Sequence, residues 1–376
     1  MSEPAYPAAR VVAPRVYEHF VRHQGTLGDA RPGSIAPVAT IEAAIDAAFW
    51  ASLRREERYT PRLSLALLAL DEGVQPLVFE EPFRLTSTNL VRISPAVDRP
   101  GLHLAAWRVD GELSVWGTVR AIPTSCCVIE VVAPGLLVLK HRPNDRSGKF
   151  ANVATLEGDE VKIVDERASA LADDPELVAS LLGFGAPMSW LDSVNVLVEL
   201  AVSMRGHGRG GSLLIVPAGS DLWRESIVHP VSYAVRPTFA ELADLARGRP
   251  DGWDPSAWEA ALDRAVAMMA GLTAVDGATI MTDRYELLAF GAKIARRDGS
   301  RQVEHVVVTE PIEGAAAAIV RPGQLGGTRH LSAAQFVHDQ RNALALVASQ
   351  DGRFTVFAWS PGEHMVHAHR VETLLL

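Results

Sequence analysis

The spacing of apolar residues predicts one amphipathic helix followed by short strands in the first part of the chain. At 40–55 the apolar positions recur every three or four residues, which is the period of a helix with one buried face. After it come short apolar segments bounded by turn residues such as Asp110-Gly111, a pattern typical of antiparallel strands. These segments are 63–70, 77–79, 101–108, 112–120, 127–132, 136–141 and a hairpin at 153–164. The first part is therefore predicted to be α+β, with a mostly antiparallel sheet.

A second part alternates helices and strands differently. A glycine-rich turn at 206–211 leads into an apolar segment at 212–217, and a helix is predicted at 256–271. A further helix is predicted to begin at Ser332. Strands are expected at 278–282, 287–292, 305–309, 344–349 and 354–359. The sequence predicts a mixed α/β domain here, with helices packed on a central mixed sheet.

The change of pattern also predicts how the chain is divided. A length of 376 residues is sufficient for two domains with separate cores. We expect an N-terminal α+β domain of unknown role at 1–165, a helical connector at 166–192 and a second domain at 193–376.

Composition narrows the function classes. The 36 basic residues against 45 acidic ones give a formal charge of -9, which repels phosphate backbones, so bulk nucleic-acid binding is not expected. The first ten residues lack the apolar core of a secretory signal, and no apolar segment approaches the ~20 residues of a membrane span. We therefore expect a cytoplasmic protein without a membrane segment. The adjacent Cys126 and Cys127 are predicted to be buried free thiols.

The sequence disfavours two common nucleotide-binding motifs, the dinucleotide-binding G-x-G-x-x-G turn and the P-loop. The segment from Gly206 to Gly211 has the G-x-G-x-x-G spacing, but it follows a predicted helix and precedes a strand. A dinucleotide fold needs the reverse order, so that the helix N-terminus meets the pyrophosphate. No P-loop sequence occurs either.

The tripeptide Asp276-Gly277-Ala278 is a candidate cation site. It stands between a predicted apolar helix and an apolar strand, so the carboxylate is placed at the end of the sheet. Carboxylate oxygens are the ligands that Mg²⁺ and Mn²⁺ prefer. A turn or capping aspartate is the alternative interpretation of such an Asp-Gly pair.

The segment Gly327-Thr328-Arg329-His330 is a candidate phosphate-binding loop. Glycine lets the backbone approach a phosphate closely, and Arg329 supplies a planar guanidinium. Ser332 is predicted to cap the following helix, whose N-terminus favours anions. A glycine-rich surface loop with an exposed arginine is the alternative.

These motifs together resemble a known family. In order along 194–359 come the glycine-rich turn with its strand, then Asp276-Gly277-Ala278, then Gly327-Thr328-Arg329-His330, and finally the strand that ends at Ser349. This order resembles the nucleotide-binding domain of the diadenylate cyclase superfamily.

The resemblance implies a chemistry. In that family two domains face each other, each holds one ATP, and the 3′-hydroxyl of each nucleotide attacks the α-phosphate of the other with Mg²⁺ or Mn²⁺. By resemblance Asp276 would be catalytic, serving the metal and the attacking hydroxyl, while Arg329 and His330 would hold phosphates and take part in catalysis. A homo-oligomer is then expected. The implied nucleotide-binding residues are Gly277, Ala278, Gly327, Thr328, Arg329, Ser332 and Ser349.

Two departures from the family pattern bear on turnover. Leu331 stands where the family has a second arginine, and Gln350 stands where it has a glutamate. An arginine at a transferring phosphoryl group stabilises the transition state, and leucine replaces none of that interaction. Such changes resemble the DACNV-type branch of the superfamily, which is described as a sensor.

Three functions therefore stay open. The first is a sensor that binds ATP or a cyclic (di)nucleotide. The second is an active diadenylate cyclase, and the third is an interaction scaffold with a vestigial pocket.

A histidine motif near the C-terminus is a weaker candidate. His364, His367 and His369 alternate in a way that could present two imidazoles to one metal ion. We interpret them as surface or tail histidines.

Overall fold

The computed structural model describes residues 3–27, 35–55, 59–73, 76–99, 101–109, 111–124, 126–142, 150–165 and 196–376. Two units are distinguished, Met1–Val164 with Leu376, and Asp165–Leu375. The predicted helical connector at 166–192 lies outside the described residues.

The N-terminal unit is an eight-stranded sheet with helices. Its strand order is β2-β4-β3-β1-β5-β6-β7-β8, and β1 with β3 is the one parallel pair among the described strands of this sheet. This confirms an α+β section with a mostly antiparallel sheet. The elements are α1 Pro7–Leu27, α2 Val38–Leu53, α3 Ser87–Val97, β1 Leu63–Leu67, β2 Leu77–Arg84, β3 His103–Val109, β4 Glu112–Val119, β5 Cys127–Ala133, β6 Leu136–His141, β7 Ala151–Glu157 and β8 Glu160–Ile163.

The core of this unit follows the predicted apolar pattern. Ile41, Ala44 and Ile45 on α2 are buried in one cluster with residues of the sheet, because the apolar residues of this helix recur at helical spacing on one face. The sequence pattern does not predict α1 and α3, each of which contains a proline. Cys126 and Cys127 are buried free thiols, as predicted, and burial raises the pKa of Cys127 to about 12.

The second unit has a nine-stranded mixed sheet. Its order is β10-β12-β11-β9-β15-β16-β17-β13-β14, with β9–β11 and β13–β17 parallel. This confirms the mixed sheet with packed helices. The elements are α4 Val196–Gly206, α5 Glu241–Ala246, α6 Pro255–Leu272, α7 Thr328–Asp339, β9 Gly211–Val216, β10 Tyr233–Phe239, β11 Ala278–Thr282, β12 Leu287–Ala292, β13 Val306–Thr309, β14 Ala318–Val320, β15 Leu344–Ala348, β16 Phe354–Ser360 and β17 Met365–Arg370.

One face of this sheet holds α7. Buried residues of the helix, among them Ala334 and Phe336, pack in one cluster with Leu214 of β9 and Ile280 of β11. This packing fixes the helix across the strands that carry the predicted motifs.

The interpretation of the C-terminal histidines as surface or tail residues is confirmed for His364, which is exposed, and is wrong for His367 and His369. His367 and His369 lie on β17, between β16 and β13, and both side chains are buried. Among the residues that the structure describes, no group of three or more histidine, cysteine or acidic side chains could hold a metal ion.

No described helix is both long enough and apolar enough to cross a membrane.

Candidate functional site

Three strand ends bring the predicted motifs to one edge of the second sheet. β9 begins at Gly211 and pairs in parallel with β11, which begins at Ala278, so both strands start at the same edge. β15 runs antiparallel to β9, and its last residue, Ala348, pairs with Gly211. The glycine-rich turn, the Asp276 segment and Ser349 therefore lie at a common edge, which we call the motif edge.

The glycine-rich turn packs against the end of α6. A Cβ on Gly211 would lie 2.6 Å from the Thr273 hydroxyl oxygen, which leaves room only for glycine. The His207 Nδ1 accepts from the Arg209 amide at 3.1 Å, so its Nε2 is the donor to Thr273 Oγ1 at 3.3 Å. The turn is thereby held three residues from Asp276.

Asp276 presents its carboxylate to solvent. Its side chain is 91% exposed, and the Lys293 Nζ lies 3.7 Å from its Oδ2. Gly277 follows with φ +110, where a Cβ would lie 2.5 Å from the carbonyl carbon of Gly291. Ala278 is buried and pairs with Ala292. The close approach of the Gly277 and Gly291 backbones therefore fixes the position of Asp276 at the start of β11.

An aromatic pair lies beside Asp276 that the sequence did not single out. Tyr233 of β10 stacks on Phe290 of β12 with ring centroids 4.7 Å apart, and Tyr233 is 51% exposed. A Cβ on Gly291 would lie 2.8 Å from the Tyr233 ring and 3.4 Å from the Asp276 carbonyl oxygen. The exposed Tyr233 ring, supported by Phe290, offers a surface for a planar base.

Arg329 reaches the glycine-rich turn. A Cβ on Gly210 would lie 3.0 Å from Arg329 Nη1, 3.3 Å from the Ala348 carbonyl oxygen and 3.3 Å from Gln350 Cγ. Gln350 in turn donates from Nε2 to the Arg209 carbonyl at 3.3 Å. The structure thus brings together the guanidinium and the segments before β9 and after β15.

The first turn of α7 is exposed beside this arginine. The helix begins at Thr328 and Gly327 is its N-cap residue, and both are exposed. The prediction that Ser332 caps the helix is wrong, because Ser332 lies in the second turn. The amides of the first turn belong to the segment 327–331, which moves the anion-favouring end of the helix onto the Gly-Thr-Arg sequence itself.

His330 is buried, unlike the exposed Gly327 and Thr328 before it. It is 3% exposed, its Nε2 lies 3.5 Å from Thr355 Oγ1, and its ring meets Phe357 edge-on. Burial lowers its pKa, so the neutral imidazole is favoured. A Cβ on Gly326 would lie 2.4 Å from this ring, so Gly326 must be glycine for the histidine to fit. The geometry favours a positioning role for His330, and its contact with phosphate stays a prediction.

The turn after β15 supplies hydrogen-bonding groups at the motif edge. The Ser349 amide donates to the Arg353 carbonyl at 2.9 Å, and Arg353 pairs with Asp351 at 3.5 Å. Partial burial raises the pKa of Asp351, but hydrogen bonds from the Ser349 hydroxyl and the Arg353 amide outweigh it and hold that pKa below its ordinary value. Asp351 is therefore a carboxylate, already engaged by its own turn.

A divalent ion would find one available carboxylate at this edge. Asp276 is not part of any cluster of three candidate ligands within the described parts of the chain. Mg²⁺ commonly takes one or two protein carboxylates and completes its shell with phosphate oxygens and water. Asp276 fits that use, and it would hold such an ion only together with a bound nucleotide.

Comparison with known proteins identifies part of the chain. Residues 32–120 match the family model described as "Probable sensor domain DACNV". The chain thus carries a DACNV-type probable sensor domain, and the predicted relation to the DACNV branch is confirmed. A comparison with curated proteins gives no match.

The match lies in the N-terminal unit and not in the unit that carries the predicted motifs. It covers about a quarter of the chain and falls within the N-terminal unit, from just before α2 to just after β4. None of the motifs at the motif edge lies in it. The sensor description therefore applies to the N-terminal domain, whose role the sequence left open, and nucleotide binding by the second unit stays a prediction.

Proposed function

We propose that the second unit binds an adenine nucleotide or a cyclic dinucleotide at the motif edge, in a chain whose N-terminal unit contains a sensor domain. One observation carries the proposal. Four segments spread over about 140 residues of sequence, 209–211, 276–278, 327–330 and 348–350, converge on one sheet edge in the order that resembles the diadenylate cyclase domain.

Each part of a nucleotide has a counterpart at this edge. Phosphates would meet the exposed amides of Gly327 and Thr328 and the Arg329 guanidinium, because helix N-termini and arginine favour oxyanions. Gly277 and Ala278 set the backbone that carries Asp276, which would hold Mg²⁺ or Mn²⁺ bound with the phosphates. Ser349, whose hydroxyl proton is donated to Asp351, offers its hydroxyl oxygen as an acceptor from the neighbouring turn. Ser332, one turn further along α7, completes the set of proposed nucleotide-binding residues.

Calorimetric titration with ATP and with cyclic di-AMP tests this proposal. We expect saturable binding of at least one of them, and Arg329→Ala should weaken it about tenfold or more, since a charged hydrogen-bonding partner is removed. Arg264→Ala is the matched control, because Arg264 is exposed on α6 outside the motif edge. An unchanged affinity in Arg329→Ala contradicts the placement of the site. If neither nucleotide binds, the result favours the third function, an interaction scaffold with a vestigial pocket.

A working diadenylate cyclase is the second candidate, and the exposed carboxylate of Asp276 favours it. The structure places Leu331 on α7 and Gln350 beside Gly210, so neither position supplies the charge that the family pattern has there. We therefore propose binding without turnover. Incubation with ATP and Mn²⁺ followed by mass spectrometry decides between the two: cyclic di-AMP that disappears in Asp276→Asn would establish the cyclase. Turnover would also require two motif edges to face each other, so light scattering should then show a homo-oligomer.

A further inference from the structure

A cavity opens at the opposite edge of the second sheet. It has a volume of about 500 Å³, within the usual range of small-molecule sites. Its wall includes Val216 and Pro217, where β9 ends, as well as His338 and Asp339 at the end of α7. In sheets with parallel strands, ligands bind outside the carboxyl ends of those strands, and β9 pairs in parallel with β11. The cavity therefore occupies a favoured position that the nucleotide proposal does not use.

Hydrogen bonds hold the polar wall of this cavity in place. The Asp339 carboxylate accepts from the Ser300 hydroxyl, from the Arg297 amide at 2.9 Å and from Gln335 Nε2 at 3.0 Å, and the His338 Nδ1 lies 3.0 Å away. Although partial burial raises the pKa of Asp339, these donors outweigh that effect and hold it below the ordinary value. The carboxylate is therefore charged, and its acceptor capacity is taken up by the protein.

A second set of bonds fixes the other wall. A short 3₁₀ helix at Leu222–Ser226 follows β9, and Gln340 Nε2 donates to the Leu222 carbonyl at 3.0 Å and to Ser226 Oγ at 2.9 Å. The two walls are thus tied to each other. A site held in this way loses little conformational freedom when a ligand binds.

Two hydrogen-bond donors of the wall, those of Trp223 and Arg341, have the capacity to bind an acceptor. Trp223 is 2% exposed, and its indole Nε1 has no acceptor among the described residues. Arg341 is exposed, with its guanidinium 4.2 Å from the Trp359 ring centroid, and makes no ion pair within the part of the chain that the structure describes. A buried donor without a partner is unfavourable, so an acceptor bound here would restore a lost interaction.

We propose that this cavity binds a small organic acid with a single carboxylate or phosphate group. The acid oxygens would accept a hydrogen bond from the Trp223 Nε1–H group and form an ion pair with Arg341. Asp298, which is exposed on the same wall, repels additional negative charge and so disfavours polyanions such as triphosphate. Because Trp223 has almost no exposed surface, it offers no face for a stacked base, which sets this site apart from the motif edge.

Indole nitrogen resonances provide a direct test. In protein labelled with ¹⁵N at its eight tryptophans, Trp223→Phe assigns the Trp223 Nε1–H signal. Titration with inorganic phosphate, glycerol phosphate and butyrate separates the phosphate from the carboxylate source. We expect a saturable shift of this signal with at least one of them and none with sodium chloride at matched ionic strength. An absence of saturable shift with all three overturns the proposal, as does an equal shift with chloride.

Three variants establish where the probe binds. Arg341→Gln should raise the Kd about tenfold or more, whereas Arg284→Gln, an exposed arginine that does not line the cavity, should leave it unchanged. Arg329→Ala should also leave it unchanged, because that residue belongs to the motif edge. A shift that persists in Arg341→Gln, or that is lost in Arg329→Ala, contradicts the site. The outcome does not depend on whether nucleotides bind at the motif edge.

Discussion

Gly277 shows how a single residue determines the position of Asp276. Its φ of +110 is unfavourable for residues with a Cβ, and a Cβ there would also meet the Gly291 backbone at 2.5 Å. We expect Gly277→Ala to lower the free energy of unfolding by at least ~2 kcal/mol, measured by urea denaturation. Gly252→Ala is the matched control, because Gly252 has φ +84 but nothing within 4 Å of the added Cβ. Equal losses in both variants would show that the close backbone approach is not important.

Tyr233 is expected to determine affinity for the base if the motif edge binds nucleotides. Stacking on an aromatic side chain contributes ~1–3 kcal/mol per base, so Tyr233→Ala should weaken ATP binding roughly 5- to 150-fold. Tyr233→Phe retains the ring and should bind ATP nearly as the parent protein does. Inorganic triphosphate, titrated in the same way, should bind both variants equally, since it has no base. A loss of triphosphate affinity in Tyr233→Ala would instead indicate a disturbed fold at Gly291.

The sequence predicts residues whose neighbours are close in the chain far better than those whose neighbours are distant. Asp276-Gly277-Ala278 could be located because a helix and a strand flank it directly. Tyr233 could not, because its partner Phe290 is 57 residues away and the pairing of β10 with β12 leaves no periodic pattern. His330 was assigned to phosphate from its motif, and only the packing of Phe357 and Thr355 around it shows that it is buried.

At the scale of elements, the start of α7 changes the role of a serine. With Gly327 as N-cap residue, Ser332 lies within the helix, so Ser332→Ala should change the free energy of unfolding by less than ~0.5 kcal/mol. Asp254→Ala is a true cap removal for comparison, because the Asp254 carboxylate accepts from the Ala257 amide at 3.1 Å at the start of α6. Thermal unfolding should give a clearly lower Tm for Asp254→Ala only. A larger decrease in Ser332→Ala would restore the predicted capping role.

The sequence misplaced this helix start for a physical reason. Glycine has poor helix propensity, so Gly326 and Gly327 looked like the interior of a loop and the helix was expected only after them. Glycine is nevertheless an acceptable N-cap residue, and here the helix begins at Thr328. The burial of Ala333, Ala334 and Phe336 against the sheet stabilises the helix. The sequence does not predict β17 for a related reason. Its histidines are polar residues, and only the pairing with β16 and β13 shows that they are buried.

The buried histidine of β17 predicts a pH dependence of stability. Burial, and then the neighbouring His367, lower the pKa of His369 to about 4 from its ordinary 6.5. The unfolded chain therefore binds the proton more readily, so the contribution is fully present above about pH 6.5 and is lost as the pH falls towards 4. The loss is on the order of 3 kcal/mol. Urea denaturation between pH 4 and 7 should show it, with a shallower slope in His369→Gln.

An exposed histidine gives the control for that slope. His305, just before β13, is exposed, so His305→Gln should leave the pH dependence as it is in the parent protein. If the free energy of unfolding falls equally steeply with decreasing pH in His369→Gln and in the parent protein, groups other than His369 cause the loss of stability at acidic pH. Buried His19, whose pKa is lowered by burial to about 2, is the first of these to examine, and buried His330, whose pKa is lowered in the same direction, is the next.

At the scale of the whole molecule, the sensor match and the candidate nucleotide site fall in different units. Residues 32–120 carry the match, whereas the motif edge lies between 209 and 350. Hydrogen exchange with and without a saturating nucleotide separates the two, because bound backbone amides exchange more slowly. We expect added protection in peptides that cover 276–278, 327–331 and 348–350, and Arg329→Ala should abolish it. Nucleotide-dependent protection within 32–120 that persists in Arg329→Ala would mean that the sensor domain itself is the nucleotide-binding part, and would contradict the assignment to the motif edge.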